Sequence, residues 1–233
     1  MSLSDTITDF VCNYHPWQGG FVHEGILKGA IHIHQELQPS LEKWTKQFDT
    51  KSIVCLGHSM GGSISAILSR IIIDSNDSFN VNAYTFGAPP IVSSSLSPLF
   101  THVISVVNHN DLVTRLSYGA MVRLKDHIKV IDEHKNDNMD QLYEELKKPV
   151  DPRFPQMLIP GRVFWMHKYS QVSTMKRIYN SDPLKKPKAH MLMQEVDPRH
   201  LLEIQFGSGM LHHMPNYYEK SYLRCYQYLQ EIQ

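Results

Sequence analysis

The chain has 233 residues, 42% hydrophobic and 20% charged, which fits one globular domain with a sizeable core. Its 23 basic residues balance 23 acidic ones, so it carries no electrostatic footprint for nucleic acid, and no apolar run approaches the ~20 residues of a membrane span. Three cysteines, Cys12, Cys55 and Cys225, lack metal-ligand spacing and suit free thiols in a reducing compartment rather than a disulfide framework.

The opening Met1–Asp5 has neither the basic segment nor the apolar core of a signal peptide. Asp5–Cys12 follows a Ser4 cap and predicts a short amphipathic helix, and Asn13–Gly20, with Pro16, Gly19 and Gly20, predicts a loop. From Ile26 to about Phe48, apolar residues at Ile26, Ala30, Ile33, Leu37, Leu41 and Trp44 recur every three or four positions. They predict one amphipathic helix, or two meeting at Pro39-Ser40. A short apolar run, Ile53–Leu56, leads directly into Gly57-His58-Ser59-Met60-Gly61, and a helical stretch of small and apolar residues follows to Ile73. Val81–Phe86 alternates like a strand and stops at Gly87-Ala88-Pro89-Pro90; His102–Val107 predicts another, ending at Asn108–Asp111. Arg162–Met166, after the turn-forming Pro160-Gly161, predicts a final strand. Strands separated by helical segments predict an α/β fold with a mostly parallel sheet, whose strand ends converge on one site.

Ser52–Arg70 carries the chemistry. Strand, Gly-x-Ser-x-Gly and small-residue helix make a nucleophile elbow, in which a sharp turn holds the serine strained, with its hydroxyl projecting at the carboxyl end of the sheet. The two flanking glycines are expected where the strand and helix backbones leave no room for a side chain. Ser59 needs a base, and the base needs a carboxylate to fix its tautomer; in elbow hydrolases these follow in the order serine, acid, histidine. Asp111, directly after the second strand beyond the elbow, is the candidate acid, in a cluster that also favours a turn. Asp132, Asp137 and Asp140 lie in a polar segment and are poorer candidates. Among 14 histidines, His32 and His34 are two apart on a helix and face different ways, and His58 adjoins the nucleophile but points away from its hydroxyl. His212 and His213, just before a terminal helix, fit the chain order, and sequence physics does not choose between them.

Five stretches resemble a known family. They are Val22–Ala30, Gly57–Gly62 (with Met60 where leucine is usual), Tyr84–Pro90, Val106–Val113 and Met210–Pro215. Together they resemble the class 3 (fungal-type) lipase domain, most closely that of the sn-1-specific diacylglycerol lipases of animals, over nearly the whole chain. The resemblance implies an α/β-hydrolase fold in a single domain over 1–233 and a triad of Ser59, Asp111 and His213. His212 departs from the acidic residue usual before the base. It also implies an oxyanion donor in the backbone N–H of Met60 and hydrolysis of diacylglycerol to a monoacylglycerol and a fatty acid. A membrane location on the cytoplasmic side of the plasma membrane is implied too, as is calcium, although the chain shows no Asp/Asn-rich calcium loop. A phospholipase A1, a general carboxylesterase and a silent lipid-binding scaffold are the competing readings. In the family a Gly-Thr or Gly-Ser stands just ahead of a segment like Ser2–Phe10 and supplies a second oxyanion donor. The expectation is therefore that this sequence lacks the family's N-terminal strands and that donor. Leu124–Leu158, dense in charge and carrying one helical stretch near Met139–Lys147, reads as a solvated insert or a mobile lid, at a place where the animal enzymes also carry an insert.

Overall fold

The computed structural model describes residues 13–134, 139–147, 155–168, 191–205 and 209–231. The helix expected over Asp5–Cys12 lies outside them, as does Cys12. Asn13–Gly20 is not a plain loop. Strands β1 (Tyr14–Trp17) and β2 (Gly20–His23) form a hairpin whose turn residues, Gln18 and Gly19, both have positive φ (46° and 84°), the geometry whose twist matches two antiparallel strands.

His23 caps helix α1 (Glu24–Gln47) by accepting from the Ile26 N–H. The helix is continuous through Pro39, which is solvent-exposed along with Gln35, so the carbonyl freed by the missing N–H faces water. Strand β3 (Ser52–His58) enters the elbow, helix α2 (Met60–Ser75) leaves it, and β4 (Asn80–Phe86), β5 (Val103–Asn108) and β6 (Arg162–Lys168) follow. These four strands are parallel in the order β3-β4-β5-β6. The expected final strand is not the last: β7 (Met191–Val196) adds antiparallel to β6. Its Met-Leu-Met-Gln-Glu run has neither the alternation nor the β-branched content that marks a strand in sequence.

The charged segment also holds more structure than one helix. Helix α3 (Tyr118–Glu133) runs into it and α4 (Met139–Leu146) follows; α3 buries only Gly119 and Ala120, and α4 buries nothing. The short helix α5 (Gly209–His213) and helix α6 (Pro215–Glu231), with proline at its first position, close the described chain.

One face of the sheet packs against α1 and α2 through Ile26, Leu27, Ala30, Cys55, Ala66, Ile67, Ile72, Val81 and Ala83. On the other, α6 places Tyr218 and Cys225 against Val106, Met166 and Met191, and an apolar groove of about 640 Å³ runs between α6 and β4. Cys55 and Cys225 are free, buried thiols, each pushed up to about 11 by burial. The parallel strands stop in register, His58 beside Phe86 and Phe86 beside Val106, which gathers the loops after β3, β4 and β5 at one edge.

Candidate active site

Ser59 sits between β3 and α2 with φ 57° and ψ −130°, and its N–H donates to the Phe86 carbonyl at 2.8 Å, tying the elbow to the end of β4. A left-handed backbone is rare for a non-glycine residue, so the surrounding turn imposes it. A Cβ on Gly57 would overlap the Gly61 carbonyl and stand 2.6 Å from the Gly62 nitrogen, whereas one on Gly61 would meet nothing within 4 Å. The steric demand expected of both glycines therefore falls on Gly57 alone. Met60 is the first residue of α2, where a backbone N–H has no acceptor inside the helix and is free to receive a developing negative charge beside Ser59.

Asp111 follows β5 and is fully buried. Its Oδ1 accepts from the Val113 N–H (2.9 Å), capping a 3₁₀ turn over Val113–Arg115, so it serves the turn and the site together. His213 brings Nδ1 to 3.2 Å and 3.0 Å from Asp111 Oδ1 and Oδ2, and Nε2 to 2.9 Å from Ser59 Oγ. A carboxylate only accepts, so Nδ1 carries the ring proton and Nε2 is left to take the serine proton. The structure thus brings together Ser59, Asp111 and His213, the histidine from 102 and 154 residues further along the chain than the acid and the serine.

His212 goes elsewhere, stacking on His109 with ring centroids 4.9 Å apart. Burial, above all, lowers His109 to about 4, with His212 next in effect, and burial lowers His212 as well. Asp132 and Asp140 are exposed on α3 and α4, and Asp137 lies outside the described residues. Among the described residues no three His, Cys, Asp or Glu side chains converge to hold a metal, His32 and His34 included.

Three further residues, to which the sequence assigned no part in the site, shape it. Tyr218, buried on α6, donates its hydroxyl to Asp111 Oδ2 (2.7 Å) and accepts from the Asn108 N–H (3.1 Å). Burial first, then the Asp111 charge, raises its pKa well above the usual phenol value, so it remains a donor. Gly87, with φ 61°, leaves the space in which the triad meets: a Cβ there would lie 3.0 Å from Asp111 Oδ2 and 3.1 Å from His213 Nδ1. His58 does not approach the serine as a base; its Nε2 donates to the His213 carbonyl (2.8 Å). The Gly87 turn, at Thr-Phe-Gly-Ala-Pro, had a local signal, whereas Tyr218 and the His58 contact had none.

Residues 2–121 match the family model described as lipase (class 3). The chain is 28% identical over 100 residues to Toxin TseL of Vibrio cholerae, an alignment covering 42% of this chain and 15% of that protein. It is 27% identical over 121 residues to the chloroplastic phospholipase A1 PLIP1 of Arabidopsis thaliana, covering 47% and 18%. The chain thus spans less than a fifth of the length of these curated relatives. Among solved structures, the lipase from Rhizopus microsporus var. chinensis superposes with a TM-score of 0.54 at 14% identity, covering 91% of this chain and 60% of that one, which shows a shared α/β-hydrolase fold. With the family model covering half its length, elbow included, the chain belongs to the class 3 lipase family.

Proposed function

We propose that this chain is a serine lipase that hydrolyses a fatty acyl ester of diacylglycerol, releasing a monoacylglycerol and a free fatty acid. The observation that carries the reading is the continuous contact from Asp111 through His213 to Ser59 Oγ at the strained elbow. As the Ser59 oxygen attacks the ester carbonyl, His213 Nε2 takes its proton and Asp111 stabilises the imidazolium. The Met60 N–H donates to the tetrahedral oxyanion. His213 then returns the proton to the departing glycerol oxygen, leaving the acyl group on Ser59. Water, deprotonated by the same histidine, releases the fatty acid and restores the serine.

The surroundings suit a lipid at an interface. Met60 and Met214 adjoin Ser59 and His213 in the chain, Met210 and Leu211 stand on the short helix that carries His213, and the four are 47%, 49%, 58% and 55% exposed. Clustered exposed apolar side chains mark a membrane or ligand contact. We therefore place the site against a membrane surface, with an uncharged diacylglycerol headgroup suiting this collar better than a phosphate ester. The test is hydrolysis by the purified protein of diacylglycerol in mixed micelles, phosphatidylcholine vesicles and p-nitrophenyl butyrate, beside Ser59→Ala. Fatty acid release that is fastest from diacylglycerol and abolished in Ser59→Ala is expected. Faster turnover of phosphatidylcholine or of the short ester would replace the diacylglycerol reading with a phospholipase A1 or a carboxylesterase.

A further inference from the structure

We infer that His58 and Asn108 are positioning residues for the base: from the ends of β3 and β5 they grip the peptide carbonyls on either side of the His213 Cα, and so fix where its imidazole meets Ser59. The inference rests on the hydrolase reading above. Helix α5 has five residues and ends against Pro215, which has no N–H to offer. The next backbone donors turn elsewhere, Met214 N–H to Leu211 and those of Tyr217 and Tyr218 to Met214. A helix ending this way leaves its last carbonyls to be met by side chains. Here Asn108 Nδ2 donates to the His212 carbonyl at 2.9 Å, and His58 Nε2 donates to the His213 carbonyl at 2.8 Å.

The origin of the donors matters. His58 directly precedes the nucleophile, and Asn108 stands three residues before Asp111. The strand ends that present the nucleophile and the acid therefore also hold the backbone of the base, and the three groups move as one body. Ring contact strengthens the hold: His58 lies against His213 with centroids 4.7 Å apart, and Tyr218 backs His58 edge-on at 5.7 Å. Neither positioning residue touches Ser59 Oγ or takes a proton in the reaction. Their effect is on alignment, where a displacement of about 1 Å costs ~10²-fold in rate.

The test compares His58→Phe, which keeps a ring and loses the donor, with His58→Gln, whose amide reaches the position of Nε2. Readouts are kcat and KM on p-nitrophenyl butyrate, the rate of labelling by a fluorophosphonate, and the low-field Nδ1 proton resonance of His213. In His58→Phe, kcat and labelling should fall ~10–100-fold with KM held within ~2-fold, and His58→Gln should recover most of the loss. The resonance should persist in the wild type and His58→Gln and broaden in His58→Phe. If His58→Phe does not fold, Asn108→Ala should show the same loss confined to kcat. A His58→Phe protein that turns over as fast as the wild type, or a folded His58→Gln as slow as His58→Phe, would overturn the inference. The resonance needs no turnover, so an inactive wild type would defeat the hydrolase reading while this alignment could still be read.

Discussion

Tyr218→Phe removes one oxygen and disturbs two bonds. The lost hydroxyl donates to a fully buried carboxylate and accepts from the buried Asn108 N–H. A hydrogen bond to a charged group contributes ~1.5–3 kcal/mol, and an orphaned buried donor costs ~1–3 kcal/mol. Because one atom serves both, the contributions overlap, and about 3 kcal/mol is the expected destabilisation. For a chain of this size that corresponds to a fall of roughly 6–12 °C in melting temperature. The control is Tyr222→Phe, on the same helix but 52% exposed, which should shift stability by no more than ~0.5 kcal/mol. Thermal denaturation followed by circular dichroism reads both. Hydrolysis by the folded Tyr218→Phe protein should fall less than in Asp111→Asn, since the His213–Asp111 contact survives. A melting temperature within about 2 °C of wild type would show that the Tyr218 hydroxyl is not the support described.

Asp111→Asn keeps the shape of the acid but offers no full carboxylate to fix the His213 tautomer, so kcat should drop ~10⁴-fold, measured on p-nitrophenyl butyrate with protein that circular dichroism shows to be folded. A pH effect follows from His109, whose pKa lies at about 4 when folded and near 6.5 when unfolded. Below 6.5 the unfolded chain binds the proton more readily, so the stability present above that pH is lost as pH falls toward 4. His109→Asn, which tolerates the 49° φ at this position, should flatten the fall of melting temperature between pH 7 and 4.5, and parallel curves for the two proteins would contradict this. Limited trypsin digestion should cut first at Lys125, Lys129 or Lys147, where α3 and α4 bury almost nothing, and leave Ile53–Ile73 whole; early cleavage in α2 would contradict it.

What the sequence disclosed was what local sterics encode. The elbow was legible because the strand, the tight turn at Gly57 and the small-residue helix must stand together within twenty residues. Asp111 was legible from its place after a strand, and both of its roles, cap and carboxylate, are present. The choice of His213 over His212 came from the resemblance of Met210–Pro215 and had no basis in local physics, because neighbours on a five-residue helix differ only in what lies across the fold: Asp111 and Ser59 for one, His109 for the other. The β1–β2 hairpin stayed hidden because its turn uses Gln18 rather than asparagine or aspartate, and Pro16 breaks the strand pattern. Tyr218 and the His58 contact to His213 join residues separated by 107 and 155 positions, distances at which no sequence period speaks.

The proposed chemistry requires that Ser59 be a nucleophile activated by His213 and not by its neighbour. Incubating the protein with a fluorophosphonate and locating the adduct by peptide mass spectrometry tests this directly. A single adduct on Ser59 is predicted, lost in His213→Ala and formed at near wild-type rate in His212→Ala. An unlabelled Ser59 in the folded wild type, or loss of labelling in His212→Ala with retention in His213→Ala, would contradict it.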